Sequence, residues 1–376
     1  MQRLLCFFDG TWNRPDAQDE QTNVVKLYRA VLERAPDGIA QITHYEFGIA
    51  SEASYGRFKF AAGAIGDGVA ERIQAGYKFL VENYRPGDEI YIFGFSRGAF
   101  QARALGGLLD HCGILAPEHA GRIAEAWSSY QDARHTSDAG RVAGLHAAGH
   151  CPVRIRLIGV WDTVGNLGIP IVPKIIDKRE LTFHNTQLSP HVDVGLHALS
   201  IDDPRKSFSP TFWTKRRGEA LPDGQIIEQV WFPGCHANVG GGYKDSGLSD
   251  ISLLWMAERA MATTGVAFDL GLLRQTTKPD PLGEAVQPTS DPLFRVSQFL
   301  PFVRLLNQNV NGIPLWRRSI AGTWRASKVP PGEEVVNEAI HPSAFARYHR
   351  RVKVRRGNDV SVRLYKPRQL KVEQKK

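Results

Sequence analysis

The stretch EIYIFGFSRGAFQARALGGLLDHCG, residues 89–113, places one serine between an apolar run and a helix-like run. The seven residues before Ser96 have the length and composition of a buried strand. The residues after it have helical spacing and end at Gly113, a residue type common just past helix ends. The serine sits in a Gly94-Phe95-Ser96-Arg97-Gly98 pattern. This arrangement is typical of an exposed nucleophile, and the competing interpretation is a tight turn that only requires small residues.

The spacing of the two glycines has a physical reason. A nucleophile held at such a turn adopts a strained backbone conformation, and the chain crowds itself two residues before and two residues after the serine. A helix that begins at this point directs its free N–H groups and its dipole toward the reacting oxygen. Because a serine is a weak nucleophile alone, the interpretation requires a base and an acid elsewhere in the chain.

The rest of the chain predicts an α/β fold with a mostly parallel sheet and helices on both faces. Strand-like runs alternate with helical ones, and a helix is predicted over 248–265 with Ser249 as its N-cap. The ranges with strand-like composition are 4–10, 42–48, 154–162 and 226–234, whereas 195–201 is ambiguous.

Composition places the chain among ordinary globular proteins. It has 376 residues, of which 42% are hydrophobic and 23% charged, enough for one large domain or two smaller ones. No stretch is long and apolar enough for a membrane-spanning helix. The start, MQRLLCFFDGTWN, has the pattern of a first strand and not of a signal peptide, which predicts a cytoplasmic location in the producing cell.

The best candidate base is His236, in VWFPGCHANVGGGY (230–243). It follows a late strand, in a glycine-rich loop from which a side chain can reach the edge of the sheet. The competing interpretation is a loop histidine bonded to the backbone. Its position after Ser96 in the chain favours catalysis, since the order Ser, Asp, His recurs in hydrolases of this topology.

The acid is expected at a strand end between these two residues. Asp162, in LIGVWDTVG (157–165), meets that condition. It would fix the tautomer of the imidazole and stabilise the imidazolium. Asp202 and Asp203, in SIDDPR, are the alternative acids. The competing interpretation of Asp162 is a carboxylate that caps a turn and has no catalytic role.

An oxyanion hole requires two N–H donors. One is expected from Arg97, the residue after the nucleophile. The other is expected from the junction after the first strand, where Gly10 and Thr11 are candidates, with Asp9 bonding the backbone near the elbow. The alternative is that Asp9 and Gly10 simply form a turn.

The cysteines predict neither a disulfide framework nor a metal site. Cys6, Cys112, Cys151 and Cys235 lie far apart and form no CxxC pair. Cys235 precedes His236, but a cysteine beside a histidine in sequence is seldom a nucleophile. We therefore expect buried thiols, no metal and no cofactor.

Positive charge is concentrated at the C-terminal end. Residues 344–376 contain 12 Lys and Arg against 2 Asp and Glu, a net charge of +10, so the remainder carries −2 of the total +8. Residues 351–365 predict a hairpin with Val352, Val354, Val360 and Val362 on one face and Arg351, Lys353, Arg355 and Arg363 on the other. Such a ribbon could attract anionic lipid, could equally attract nucleic acid phosphates, or could simply be a solvated edge.

A second basic segment, residues 294–325, has five arginines and no acidic residue, interleaved with large apolar side chains. It predicts either an element at the headgroup boundary of a bilayer or an amphipathic segment packed on the sheet. We therefore divide the chain into a catalytic domain, residues 1–290, and a basic extension, residues 291–376.

Several of these segments together resemble a known family, the uncharacterised α/β-hydrolase domain family that includes the type VI secretion phospholipase effectors. The matching segments are FFDGTWN (7–13), PGDEIYIFGFSRGAFQAR (86–103), IGVWDTVG (158–165), HALSIDDPRKSFSPTFW (197–213) and VWFPGCHANVGGGY (230–243), with weaker matches in HPSAFARY (341–348) and YKPRQL (365–370).

The resemblance implies an α/β-hydrolase-like fold and a serine esterase acting on lipids, with Ser96 as nucleophile, Asp162 as acid and His236 as base. It leaves export by a signal-peptide-independent secretion system open. Members of the family often have an acidic residue where this chain has Asn238, which raises the question of whether activity is altered.

Two further functions remain as alternatives. One is a soluble carboxylesterase or thioesterase for small acyl esters. The other is a non-catalytic module that binds anionic surfaces, although the presence of Ser96, Asp162 and His236 argues against a decayed site. An anionic membrane is the expected partner of the basic region, and nucleic acid is not expected.

Overall fold

A computed structural model describes residues 1–10, 20–48, 62–133, 138–164, 186–205, 208–288, 329–330 and 332–367. In chain order, the strands are β1 (Arg3–Phe8), β2 (Gln41–Glu46), β3 (Glu89–Phe95), β4 (Ile114–Leu115), β5 (Gly149–His150), β6 (Ile155–Trp161), β7 (Val192–Ser200), β8 (Thr214–Arg216), β9 (Ile226–Phe232), β10 (Ala285–Val286), β11 (Glu333–Val335), β12 (Glu338–Ile340), β13 (Arg351–Arg356) and β14 (Asp359–Leu364).

The helices, in the same order, are α1 (Asn23–Arg29), α2 (Ala62–Asn83), α3 (Arg97–Cys112), α4 (Ile123–Asp132), α5 (Ala139–Ala147), α6 (His236–Gly240), α7 (Gly247–Thr264), α8 (Leu270–Thr276) and α9 (Pro342–Arg347), with a 3₁₀ helix at Pro117–Arg122.

Seven strands form the central sheet, in the order β2-β1-β3-β6-β7-β9-β12, and every neighbouring pair is parallel. The predicted α/β architecture with a mostly parallel sheet is confirmed. The ambiguous run at 195–201 belongs to β7, whose nine residues are all buried. Continuous burial explains the ambiguity, because a strand covered on both faces loses the polar alternation that would identify it.

Two apolar layers cover the two faces of the sheet. One contains Phe8, Ile92 and Leu105 and is closed by α2, α3, α4 and α5. The other contains Phe7, Phe93 and Met256 and is closed by α1, α7 and α8. Successive residues of β1 and β3 therefore point into opposite layers, as the two-residue period of a strand requires. This double cover leaves the strand ends as the places where polar side chains can gather.

Helix α7 begins earlier than predicted. Its N-cap position is Ser246, and Ser249 lies inside the first turn with its hydroxyl donating to the carbonyl of Ser246 at 3.0 Å. The predicted end is confirmed, since Gly265 adopts the left-handed conformation at φ 78°.

The predicted basic extension shares sheets with the rest of the chain. Strand β12 adds a parallel edge to the central sheet beside β9. Strand β10 pairs with β13, and β13 pairs with β14, so these three strands form a second, smaller sheet. The basic segment predicted at 294–325 lies outside the described residues.

The predicted faces of the β13–β14 hairpin are wrong. The strands are joined by a two-residue turn, Gly357-Asn358, so that Arg356 pairs with Asp359 and Val352 with Arg363. This register places even-numbered residues of β13 opposite odd-numbered residues of β14. Val352 and Val354 therefore share a face with Ser361 and Arg363, and Val360 and Val362 share the other face with Arg355 and Lys353.

Candidate active site

Ser96 occupies a strained turn between β3 and α3. Its backbone has φ 60° and ψ −117°, a combination that is unfavourable for a residue with a side chain. A Cβ on Gly94 would lie 2.3 Å from the carbonyl oxygen of Gly98, and one on Gly98 would lie 2.0 Å from that of Phe8. The two glycines of the motif are thus required by backbone contacts, which agrees with the crowding predicted from the sequence.

Asp162 follows β6, the strand next to β3, and is fully buried. It also has a left-handed backbone, at φ 42°. Its N–H donates to the carbonyl of Ala198 at 2.7 Å, and its Oδ1 accepts the N–H of Ser200 at 3.1 Å. These contacts with β7 fix the carboxylate and leave Oδ2 directed at the site.

His236 is the first residue of α6, which follows β9. Its Nδ1 lies 2.6 Å from Oδ2 of Asp162, and its Nε2 lies 2.7 Å from Oγ of Ser96. The ring is 6% exposed and contacts Phe95 and Phe208, with ring centroids 4.7 Å and 5.0 Å away. The structure thus brings the three predicted residues into one hydrogen-bonded chain.

The electrostatics of the chain favour a neutral imidazole. Burial lowers the pKa of His236, and the hydrogen bond and charge of Asp162 oppose that shift. A neutral ring with its proton on Nδ1 donates to Asp162 and presents a lone pair on Nε2 to the Ser96 hydroxyl. This arrangement can accept the serine proton while holding the resulting imidazolium beside a carboxylate.

The two alternative acids hold the loop around His236 and not its ring. The Oδ2 of Asp203 accepts the backbone N–H of His236 at 3.1 Å and the Nη2 of Arg205 at 2.7 Å. The Oδ2 of Asp202 accepts the N–H of Gly234 at 2.7 Å. The geometry therefore favours Asp162 as the partner of the imidazole.

Two residues that sequence reasoning missed complete the surroundings of the imidazole. The guanidinium carbon of Arg205 lies 3.3 Å from the ring centroid of Phe208, which in turn contacts His236. The positive charge of Arg205 contributes to lowering the pKa of the histidine. In the sequence, the only indication that Arg205 lies near the site was the position of SIDDPR directly after an apolar run.

The predicted oxyanion donors have three different outcomes. Arg97 is the first residue of α3, where N–H groups have no partner within the helix. The N–H of Gly10 donates to Oδ1 of Asp9 at 2.6 Å. Thr11 lies outside the described residues. Of the two candidates among the described residues, the Arg97 amide lies at the start of α3, whereas the Gly10 amide is bonded to a carboxylate.

Asp9 is a buried carboxylate that does not bond the backbone of the elbow, contrary to the expectation. The hydroxyl of Thr22 donates to both of its oxygens at 2.8 Å, and Tyr45 donates to Oδ2. Burial raises its pKa to about 6, in spite of these hydrogen bonds. Asp9 therefore ties the end of β1 to α1 and β2, and only its main chain packs against Gly98.

The cysteines agree with the expectation of buried, unpaired thiols except at one position. All four are free, and Cys151 is exposed while the others are buried. Burial raises the pKa of Cys235 to about 11. A thiol with such a pKa is almost wholly protonated at neutral pH, which argues against Cys235 as the nucleophile.

Residues 2–259 match a family model, that of the catalytic domain of Tle1-like phospholipase effectors of the type VI secretion system. The chain belongs to this family. Among the described residues, no helix is long and apolar enough to cross a membrane.

One curated relative is an uncharacterized protein of Saccharomyces cerevisiae, 30% identical over 232 residues, which cover 56% of this chain and 32% of the relative. An uncharacterized protein from Pseudomonas aeruginosa is a structural neighbour at 17% identity and a TM-score of 0.42, covering 74% of this chain and 49% of that one. The Tle1 effector bound to the VgrG spike is another, at 19% identity and a TM-score of 0.35, covering 65% and 51%. The chain thus spans about a third of the curated relative and half of each neighbour.

Asn238 supports the helix that carries His236. Its Oδ1 accepts the N–H of Val286 at 2.9 Å and its Nδ2 donates to the carbonyl of Glu284 at 3.2 Å. Its side chain also lies against Cys235 at the start of α6. The amide therefore uses both its donor and its acceptor, and a carboxylate could not make the bond to Glu284.

Proposed function

We propose that this chain is a serine ester hydrolase that cleaves lipid esters through Ser96, His236 and Asp162. The observation that carries the proposal is the hydrogen-bonded chain from Oγ of Ser96 through the imidazole to Oδ2 of Asp162, with distances of 2.7 Å and 2.6 Å. The strained turn at Ser96 and the first turn of α3 support it further. The lipid substrate rests on membership of the Tle1-like family.

In the first half of the reaction, Oγ of Ser96 attacks the ester carbonyl as its proton moves to Nε2 of His236. Asp162 stabilises the imidazolium, and the Arg97 N–H faces the developing oxyanion. The imidazolium then protonates the departing alcohol, and the C–O bond breaks to leave an acyl-serine. Water, deprotonated by His236, attacks this ester, and the C–Oγ bond breaks as the imidazolium returns the proton to Oγ, which releases a carboxylic acid and restores Ser96 and the neutral imidazole.

The decisive experiment uses Ser96→Ala beside the wild-type protein. Wild-type protein should react covalently with a fluorophosphonate probe and release fatty acid from phospholipid. The variant should do neither, because it has no nucleophilic oxygen. Ser128→Ala, at a partly exposed position on α4, is the matched control and should behave as wild type. Equal turnover by Ser96→Ala would refute the proposal.

The choice between a lipid esterase and an enzyme for small soluble esters depends on the physical state of the substrate. Turnover of a short-chain ester should rise when its concentration passes the aggregation point if the enzyme acts at lipid surfaces. We further propose that the natural substrate lies in an anionic membrane and that the chain reaches it by secretion-system export, as its family membership suggests.

A further inference from the structure

The outer face of the β13–β14 hairpin combines a row of cations with a row of aliphatic side chains. The register pairs Arg351 with Leu364, Lys353 with Val362, and Arg355 with Val360. All three aliphatic residues are exposed, at 56% for Leu364, 62% for Val362 and 47% for Val360. We call these six residues the ribbon face. Val352, on the opposite face of β13, is 2% exposed and packs in the core.

The exposure of the aliphatic row requires a reason, since exposed aliphatic residues are usually scattered singly. These three lie on alternate positions of one strand, so their side chains are adjacent. In the small sheet formed by β10, β13 and β14, the face that packs on the core already has its own apolar residues, Val352 and Val354. The ribbon face is therefore an additional apolar strip and not the edge of the core.

The cationic row is largely unneutralised. Within the described part of the chain, Arg351 and Lys353 make no ion pair, while Arg355 pairs with Glu284. Residues 351–364 contain five basic residues and one acidic residue, Asp359. An anionic partner would thus gain attraction from at least two free cations on the same face that presents the aliphatic residues.

The charge of two basic segments outside the described residues argues against cover by either of them. The sequence that follows β14, residues 368–376, has four basic residues and one acid, and residues 294–325 have five arginines and no acid. Either segment would meet the ribbon face with like charge, and a second copy of the face would do the same. Nucleic acid would match the charge but would leave three aliphatic side chains without apolar contact.

We propose that the ribbon face docks on a bilayer containing anionic lipid, with Val360, Val362 and Leu364 at the headgroup boundary and Arg351 and Lys353 on lipid phosphates. Cations beside apolar residues are typical of surfaces that bind at this depth. Strand β14 is the edge of its sheet, and its outward backbone groups need water or headgroups. Docking is therefore shallow. The inference rests on the proposed function, because lipid hydrolysis is the reason for this chain to bind a bilayer. Its test measures binding alone and does not require hydrolysis.

The ribbon is connected to the loop that carries His236 at two points. Asn238 of α6 bonds the backbone of β10, which pairs with β13. Tyr365, just after β14, donates to Oδ2 of Asp202 at 2.9 Å, and that carboxylate also accepts the N–H of Gly234. A bilayer held by the ribbon face would thus be attached to the same structural unit as the catalytic histidine.

The test measures sedimentation of the full chain with vesicles of phosphatidylcholine alone or mixed with phosphatidylglycerol. Ser96→Ala is the background in every sample, so that no lipid is consumed. We expect binding only to the anionic vesicles, decreasing as salt rises. Lys353→Glu and Val362→Asp should each weaken it by about tenfold or more. Arg217→Glu and Leu272→Asp, exposed positions outside the hairpin, are the matched controls and should bind as the background does.

Two results would overturn the inference. One is sedimentation with anionic vesicles that is unchanged in both ribbon variants. The other is a loss in Lys353→Glu but not in Val362→Asp, together with equally strong binding to duplex DNA, which would mean a surface for polyanions in general. Hydrolysis of a monomeric ester by Lys353→Glu and Val362→Asp on the wild-type background is measured separately. The rate of hydrolysis should be the same in both variants as in wild type. A wild-type protein that does not hydrolyse the ester would count against the proposed function and not against membrane docking.

Discussion

The carbonyl oxygen of Phe8 lies 2.0 Å from the point where a Cβ on Gly98 would be placed. Phe8 is the last residue of β1 and Gly98 is in the first turn of α3, so the elbow and the neighbouring strand end are in direct backbone contact. This contact allows Ser96 to stand at the rim of the sheet beside the segment from which a second oxyanion donor was expected. It also leaves no space for any side chain at position 98.

Gly98→Ala should therefore destabilise the protein strongly, by about 3 kcal/mol or more in the free energy of unfolding. The contacting atoms belong to the backbone and cannot rotate away. Urea unfolding of the variant measures the change. Gly121→Ala is the matched control, because a Cβ there would have no atom within 4 Å. Similar stabilities for the two variants would contradict the contact.

Asp162→Asn should reduce kcat by roughly four orders of magnitude if the proposed mechanism holds. An amide can donate to Nδ1, which would place the imidazole proton on Nε2 and leave no base for Ser96. Asp223→Asn, at an exposed turn, should leave kcat unchanged. A kcat within tenfold of wild type would show that Asp162 does not orient the base.

The pH profile gives an independent test of the same carboxylate. Because burial lowers the pKa of His236, kcat/KM of wild type should reach its plateau at a pH below that of an ordinary histidine near 6.5. Asp162 raises the pKa of the imidazole, so its removal should move the residual rising limb to still lower pH. A shift to higher pH would contradict this electrostatic assignment.

Asn238→Asp should destabilise the protein by about 1–3 kcal/mol, since it replaces the donor to the carbonyl of Glu284 with an oxygen. Thermal or urea unfolding measures the loss. Asn358→Asp, in the exposed hairpin turn, is the matched control. If Asn238→Asp were neutral in stability and altered only the pH profile, the amide would act on the histidine and not on β10.

Asp9 predicts a pH dependence of stability. Its pKa of about 6 in the folded state is above its unfolded value near 3.9, so its stabilising contribution is complete below about pH 4 and is lost as pH rises through about 6. Relative to Asp9→Asn, wild type should lose up to about 3 kcal/mol between about pH 4 and about pH 7.

Urea unfolding of both proteins across that range measures the difference. Tyr45→Phe removes a hydrogen bond that lowers the pKa of Asp9, and should therefore move the transition to higher pH. Parallel stability curves for wild type and Asp9→Asn would mean that the carboxylate does not titrate in this window.

The sequence by itself predicted the main strands of the central sheet and narrowed the residues at its edge to Ser96, His236 and one of three carboxylates. Strand-like runs before Ser96, Asp162 and His236 place each residue at a carboxyl end of a parallel strand, and such ends meet at one edge. The glycine requirement at positions 94 and 98 was likewise readable, because it follows from local backbone crowding.

Tertiary structure alone decided how the surrounding polar groups are shared. Asp162, Asp202 and Asp203 all follow apolar runs, and only the packing of β6 beside β7 shows which carboxylate faces the imidazole. The Gly10 amide is bonded to Asp9 because that carboxylate is enclosed by α1 and β2. The hairpin faces depended on whether its turn has two or three residues, since one residue of register reverses every side chain. These features depend on distant segments that sequence spacing does not specify.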